Sequence, residues 1–149
     1  NDVMVDDRKL GGILVEAVGE TGGPANAIVG VGLNVRVSPK HALQIDRPWT
    51  DLALAGAPAI SRNQLAGMLI DALIGACGQY ANSRLAPFLA RWDVFDGLCG
   101  QRVNILHGSE TLTGVYRGVS ESGAVVLEGS EGLSEHLAGE VSLRRAGNQ

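Results

Sequence analysis

The sequence predicts an α+β fold in which a β-sheet packed with helices is followed by a small β-barrel. Strand patterns fill residues 1–37, helical patterns fill residues 48–96, and short strand patterns at roughly ten-residue spacing fill residues 99–145. The chain has 149 residues, 45% of them hydrophobic, which suffices for one ordinary domain or a domain plus a very small one. We therefore expect one domain over residues 1–97 and a second over 98–149.

The first zone reads as three strands. Strand patterns on either side of Asp6–Arg8 predict a hairpin turn there, and Thr21-Gly-Gly-Pro24 predicts the next turn. The third strand, Ala27–Val37, alternates in character. One face carries Val29, Val31, Leu33, Val35 and Val37, and the other carries Ile28, Gly30, Gly32 and Asn34. Glycine weakens a strand, so this face indicates either close approach of a ligand or a bulge or tight packing.

The middle zone carries helix signals. Ser61-Arg-Asn-Gln64 is a capping-box pattern, and it precedes an apolar stripe that predicts an ordinary core face. The stripe consists of Leu65, Met68, Leu69, Leu73, Ala76, Cys77 and Tyr80. A second helix carries Leu85, Phe88, Leu89, Trp92 and Phe95, with Pro87 in its first turn. A shorter helix is predicted from Trp49 to Ala55, ending before Gly56.

The last zone contains five short strand patterns separated by turn residues, which predict a small barrel or sandwich. The predicted strands are Arg102–Leu106, Leu112–Val119, Ala124–Leu127, Leu133–Leu137 and Val141–Arg144. About 47 residues is near the lower limit for an independent core.

Composition excludes several classes of protein. A net charge of −4 argues against a nucleic-acid-binding surface, and no apolar run approaches the roughly 18 residues of a membrane span. We do not expect the acidic amino end to be a signal peptide. Two cysteines, Cys77 and Cys99, form neither a disulfide framework nor a metal-ligand spacing, so we expect a cytoplasmic protein.

Lys9 is a candidate for chemistry because the chain has only two lysines against ten arginines. It precedes Gly11-Gly12, and its ammonium suits a phosphate or a developing oxyanion, although a solvated turn lysine is the plainer interpretation. Gly30-Val-Gly32 lacks the third glycine and the following helix of a dinucleotide-binding motif. The three histidines are isolated, and no serine-hydrolase elbow is present.

Several strings together resemble the biotin protein ligases. They are Asn1-Asp2, Asp7-Arg-Lys-Leu-Gly-Gly-Ile-Leu-Val-Glu16, Ile28-Val-Gly-Val-Gly-Leu-Asn34, Leu85-Ala-Pro-Phe-Leu-Ala-Arg-Trp92 and Ala138-Gly-Glu-Val-Ser-Leu-Arg144. The resemblance spans nearly the whole chain, and the string that contains Lys9 is its most specific part. It implies the latter half of a class II synthetase-like catalytic domain, which is a mixed sheet with helices, followed by an SH3-like barrel.

The resemblance also implies an activity. Such enzymes use ATP and Mg²⁺ to convert biotin to biotinyl-5′-AMP, and they transfer biotin to one lysine of the biotin carboxyl carrier protein of acetyl-CoA carboxylase. Magnesium would be held through the ATP phosphates, without direct protein ligands. The oligomeric state stays open, with a homodimer among the options, and nucleic acid would be a partner only through a DNA-binding domain outside this chain.

The resemblance assigns roles to individual residues. Lys9 matches the catalytic lysine that contacts the activated carboxyl and the phosphate. Biotin would lie against Gly12, Gly30 and Gly32. The remaining matches are Asn1, Asp2 and Asn34 near the phosphates, and Glu140 with Arg144 as a carboxyl-terminal pair that closes the nucleotide site.

The family's usual Lys-Trp-Pro run and its glycine- and arginine-rich loop are not in this sequence. We therefore expect these 149 residues alone to form adenylate far more slowly than an intact ligase, and comparable turnover would contradict this. Two other functions stay open: a non-catalytic dimerisation or partner-docking module, and a lipoate-type acyl ligase on a similar scaffold.

Overall fold

A computed structural model describes residues 1–19, 25–107, 110–137 and 141–145, without the side chains of residues 17, 25, 107, 110 and 141–145. These residues form an α+β structure in two compact units, 1–70 and 71–149, whose boundary falls within the second helix. Eight strands and three helices occur in the described ranges: β1 Asp2–Val5, β2 Arg8–Gly19, β3 Ala25–Leu33, α1 Pro39–Ala42, α2 Arg62–Ser83, α3 Ala86–Phe95, β4 Arg102–His107, β5 Glu110–Val119, β6 Val125–Gly129, β7 Gly132–His136 and β8 Val141–Arg145.

The first unit is built on an antiparallel sheet in the order β1-β2-β3. Asp6 and Asp7 connect β1 to β2 with φ angles of 48° and 59°, the left-handed backbone that a two-residue hairpin turn requires. The predicted turn over Asp6–Arg8 is thereby confirmed. The predicted turn at 21–24 lies outside the described residues.

The third strand is shorter than predicted, because it ends at Leu33 rather than Val37. Beyond that point the chain pairs with a different segment: the Asn34 carbonyl accepts from Leu52 N–H at 2.9 Å, and Val37 N–H donates to the Asp51 carboxylate at 2.8 Å. Within the strand, Val29, Val31 and Leu33 are half-buried and the alternating residues are exposed. The predicted alternation is therefore confirmed over the part that is strand.

The helix predicted from Trp49 to Ala55 is wrong. Trp49 instead forms a parallel bridge with Lys9, which makes the sheet mixed at this point, and Thr50 N–H donates to the Lys9 carbonyl at 2.9 Å. Only one turn follows, closed by Ala55 N–H to the Asp51 carbonyl and ended by Gly56 at φ 77°. The one-turn helix α1 was not predicted.

Asp51 organises this turn. Its side chain is buried, and its two oxygens each accept a backbone N–H at 2.8 Å, from Val37 and from Leu54. Those hydrogen bonds hold the pKa of the Asp51 carboxyl below its usual value, against the opposing effect of burial. One carboxylate thus connects the end of β3 to the segment that pairs with Lys9.

The second helix begins as predicted but does not form a buried core. Ser61 Oγ accepts from Gln64 N–H and Gln64 Oε1 accepts from Ser61 N–H, both at 3.2 Å, which is the capping box. No residue of α2 is buried, and Met68 is 62% exposed. A helix with apolar residues on several sides is buried only when several elements pack around it. The described part of the chain covers too little of α2, so the prediction of a core face is wrong for this structure.

The second unit contains α3 and a five-stranded antiparallel sheet in the order β7-β6-β5-β4-β8. Each of the five predicted strands is present, with ends within two residues of prediction. The core of the sheet consists of Val103, Ile105, Tyr116 and Leu127. Its arrangement agrees with the small barrel-like domain that the sequence predicts.

A polar contact joins α3 to this sheet. Pro87 occupies the first turn of α3, as predicted, and Trp92 Nε1–H donates to Asp96 at 2.9 Å and to the Tyr116 hydroxyl at 3.4 Å. Burial raises the pKa of Tyr116 to about 12. Tyr116 belongs to the buried core of the sheet, whereas Trp92 is 43% exposed and no residue of α3 is buried, so a core face on this helix is not formed either.

The cysteines Cys77 and Cys99 are free thiols, both exposed. Among the helices in the described ranges, we find none with the length and apolar character needed to cross a membrane.

We expect Asp51→Asn to lower the free energy of unfolding at neutral pH by roughly 1–3 kcal/mol, because one backbone N–H loses its acceptor. Since the folded-state pKa is lowered, this contribution is fully present above the unfolded-state pKa of about 3.9 and is lost as the pH falls through the folded-state value. Urea unfolding at neutral pH and at acid pH should show the difference shrinking with acid. The exposed Asp46→Asn is the control, and an Asp51→Asn effect independent of pH would contradict this account.

Candidate functional site

A shallow cavity of about 420 Å³ lies on one face of the first sheet. Six residues that the sequence singled out line it together, with Ile13, Leu14 and Val31 beside them. The six are Asn1, Asp2, Lys9, Gly12, Gly30 and Gly32. The strand register brings these residues together, because Gly12 pairs with Asp2 on β1 and with Gly32 on β3.

Gly12, Gly30 and Gly32 form a surface without side chains, which we call the glycine face. Gly30 and Gly32 are exposed. A Cβ built on Gly30 or Gly32 would meet nothing closer than 3.8 Å, and one on Gly12 nothing closer than 3.5 Å. Packing within the described chain therefore does not require glycine at these three positions, and the main chain is left open to an outside molecule.

Gly11 has a different reason to be glycine. A Cβ there would lie 2.3 Å from the Gly32 carbonyl oxygen and 2.7 Å from a methyl group of Leu33. The sequence left two explanations open for glycine in these strands: tight packing, or close approach of a ligand. Tight packing explains Gly11. It does not explain the glycine face, where the space above the main chain is open.

A β-bulge brings Lys9 to the same cavity. The β1–β2 register shifts between Val3, which pairs with Gly11, and Met4, which pairs with Lys9, so Leu10 has no partner on β1. Such an extra residue re-aims the neighbouring side chains. Leu10 is buried, whereas the Lys9 side chain lines the cavity and is 29% exposed.

The Lys9 ammonium is paired rather than free in solvent. Its Nζ lies 2.5 Å from Oδ1 of Asp2, and the other oxygen of Asp2 lies 4.0 Å from the Arg47 guanidinium. Two cations thus share one carboxylate at the edge of the glycine face. The site holds a compact positive group at one end and open main chain at the other.

The main chain of Lys9 is also held on its second side. Lys9 N–H donates to the Pro48 carbonyl at 3.0 Å, and the Lys9 carbonyl accepts from Thr50 N–H. The Asn34 side chain reinforces this pairing by donating to the Thr50 carbonyl at 3.0 Å and to the Lys9 carbonyl at 3.4 Å.

Asn34 is therefore not among the residues that line the glycine-face cavity. It lines a second cavity of about 370 Å³, together with Arg36, His41 and Arg62. Its amide nitrogen donates to the main-chain carbonyls of Lys9 and Thr50.

The structure does not test the predicted carboxyl-terminal pair, Glu140 and Arg144. Glu140 lies outside the described residues. Arg144 lies on β8, where its backbone pairs with Asn104, and its side chain is among those not described. Their assignment stays a prediction.

Sequence reasoning missed Arg47. Nothing marks it in the sequence, because it precedes a proline in a loop and depends on the Lys9–Trp49 bridge for its position. Leu14, in contrast, could have been found from the sequence, because it lies two residues after Gly12 on the same predicted strand and therefore on the same face.

Comparison with known proteins identifies the class of this chain. Residues 98–144 match the family model for the biotin protein ligase C terminal domain. The bifunctional ligase/repressor BirA of Escherichia coli is 36% identical over 146 residues, and the biotin–[acetyl-CoA-carboxylase] ligase of Paracoccus denitrificans is 25% identical over 143. These alignments cover 98% and 95% of this chain but 45% and 60% of the relatives, so the chain spans about half the length of the curated proteins it matches.

Solved structures agree. The apo biotin protein ligase of Aquifex aeolicus superposes with a TM-score of 0.79 at 27% identity, covering 98% of this chain and 63% of that one. The complex of that ligase with biotin and ATP gives a TM-score of 0.78, covering 98% and 60%. Nearly the whole chain is therefore similar to biotin protein ligases, and residues 98–144 match that family's C-terminal domain, as the resemblance indicated.

The two kinds of glycine predict opposite responses to substitution. Gly11→Ala should destabilise the chain by roughly 1–3 kcal/mol, because its Cβ collides with backbone. Gly32→Val should change the free energy of unfolding by less than about 0.5 kcal/mol, because its site is open and valine favours strands. Urea unfolding of both variants tests this contrast. Equal losses of stability would show that the glycine face is a packing feature.

Proposed function

We propose that this chain provides the biotin and adenylate site of a biotin protein ligase. The reaction is the ATP-dependent conversion of biotin to biotinyl-5′-AMP, followed by transfer to a lysine of a biotin carboxyl carrier protein. The observation that carries the proposal is an open glycine face that ends at the Lys9 ammonium.

The glycine face suits a flat, weakly polar ring system. Without side chains, the main chain of Gly12, Gly30 and Gly32 lets the ligand approach closely, and Ile13 and Leu14 add apolar contact at the edge. We propose that the rings of biotin lie here, with the carboxyl-bearing chain directed toward Lys9.

Lys9 is the proposed catalytic residue. In adenylation, a carboxylate oxygen of biotin attacks the α-phosphorus of ATP, a new P–O bond forms, and the bond to pyrophosphate breaks. Negative charge is concentrated on the phosphate oxygens throughout. An ammonium fixed beside them by bulge and bridge stabilises that charge without reorganisation. Asn1 and Asp2 line the same cavity and are proposed to lie near the phosphates.

Magnesium is expected to arrive with ATP. Within the described ranges, no three His, Cys, Asp or Glu side chains converge on a point that could hold a metal ion. Mg²⁺ usually keeps several waters and binds through substrate phosphates and one or two carboxylates. We therefore propose that magnesium is held through the ATP phosphates, and no step of the proposal passes through the metal.

Other assignments stay proposals that rest on the resemblance. Asn34 is proposed for the nucleotide through its position on the second cavity, and Glu140 with Arg144 for closing that site. An SH3-like second domain is proposed to start at residue 98, where the family-model match also starts.

A thermal-shift experiment tests the ligand. Biotin with ATP and Mg²⁺ should raise the melting temperature by roughly 5–10 °C at about 100 times Kd, and lipoate in place of biotin should not. Gly32→Val, which we expect to leave the fold intact, should abolish the shift because its side chain fills the glycine face. An equal response to lipoate would favour the acyl-ligase alternative, and no response to either would favour a docking module.

Lys9→Ala should weaken binding of biotinyl-5′-AMP roughly ten-fold or more, because one charge-assisted contact to phosphate is lost, while binding of biotin alone changes less. Isothermal titration of wild type and variant with each ligand measures the two changes in affinity. The control is Arg8→Gln, which removes a neighbouring cation paired with Asp6 rather than with the site. Equal losses for the two ligands would argue that Lys9 only supports the fold.

A further inference from the structure

Arg47 has no role in the function proposed so far, yet it belongs to the charge cluster at the edge of the glycine face. Its guanidinium lies 4.0 Å from Oδ2 of Asp2, whose other oxygen holds Lys9. It is 61% exposed, and the residues that line the cavity in the described chain do not include it. Arg47 therefore contacts the site through Asp2.

The charges decide what the cluster can accept. Lys9 and Asp2 alone sum to zero, so their ammonium is already occupied by an anion. Arg47 brings the sum to +1, and one negative charge from a ligand would neutralise it. An incoming phosphate must compete with the Asp2 carboxylate for the Lys9 ammonium, and the competition is easier if that carboxylate has a second cation to pair with.

We propose that Arg47 is a positioning residue for an exchange at Lys9. In the free site Asp2 binds Lys9. When a phosphate or phosphodiester oxygen takes the ammonium, Asp2 turns its carboxylate toward Arg47, which holds it away. No bond is made or broken in this step; one ion pair replaces another. The inference rests on the proposed function, since the phosphate concerned is that of the adenylate.

The position of Arg47 suits this exchange. It immediately precedes Pro48, whose carbonyl accepts from Lys9 N–H at 3.0 Å. The backbone that carries the guanidinium is therefore tied to the backbone that carries the ammonium. Asp2 lies on β1 opposite Gly12, between the two cations, and can change partner by side-chain rotation.

The test uses the whole chain and two probes that differ in charge. Biotinol-5′-AMP carries one phosphodiester charge, and biotin methyl ester carries none. Isothermal titration at low and high salt is applied to wild type, Arg47→Gln, Asp2→Asn and the double variant. Arg47→Gln should weaken the phosphodiester about three-fold at low salt, with a smaller effect at high salt, and should leave the ester unchanged.

The double variant separates positioning from direct contact. If Arg47 acts through Asp2, Arg47→Gln should lose most of its effect in the Asp2→Asn background. Arg47→Lys should restore most of the affinity, and Arg8→Gln is the matched control. An equal Arg47→Gln effect in both backgrounds, an effect on the ester, or no effect on the phosphodiester would each overturn the inference. If wild type binds neither probe, the proposed function fails as well; ester binding without an Arg47 effect removes this inference alone.

Discussion

The site depends on one constraint: the main chain at Lys9 must be paired on both of its edges while its side chain stands on the glycine face. On one edge Lys9 pairs with Met4 across the bulge, and on the other it bridges to Trp49. If β2 were a regular strand with Leu10 paired in turn, the two-residue alternation would place the Lys9 side chain and Gly12 on opposite faces. The bulge is therefore what converts a lysine near two glycines into a lysine beside a bare surface.

Polar contacts far apart in sequence maintain this pairing. Asn34 ends β3 and donates its amide to the carbonyls of Lys9 and Thr50, while Asp51 binds backbone N–H groups on both sides of the junction. These side chains replace a regular strand ladder over a short stretch where the chain changes partner. Thr50 and Asp51 are also buried, so the segment that supports Lys9 is shielded from solvent at these two residues.

Local signals in the sequence were sufficient for much of the fold. The capping box at Ser61 and the strand patterns from Arg102 onward depend on neighbouring residues, and they were predicted correctly. The segment from Trp49 to Ala55 was not, since its apolar spacing suits a helix and only the distant bridge to Lys9 makes it extended. The bare face of β3 followed from alternation, and its grouping with Lys9 followed from the resemblance. The bulge that produces this grouping and the pairing of Asp2 with Arg47 depend on tertiary structure alone.

The glycines show why sequence and coordinates answer different questions. Gly11 and Gly12 are adjacent and identical in sequence, yet a Cβ on the first would collide with backbone and one on the second would meet only ordinary contacts. A strand carries a cost for each glycine, and internal packing accounts for that cost only at Gly11. Gly30 and Gly32 weaken the strand in the same way, but no contact within the described chain requires glycine at these positions. We propose that a bound molecule accounts for these two glycines, and the ammonium of Lys9 at the end of the same surface favours one that carries negative charge.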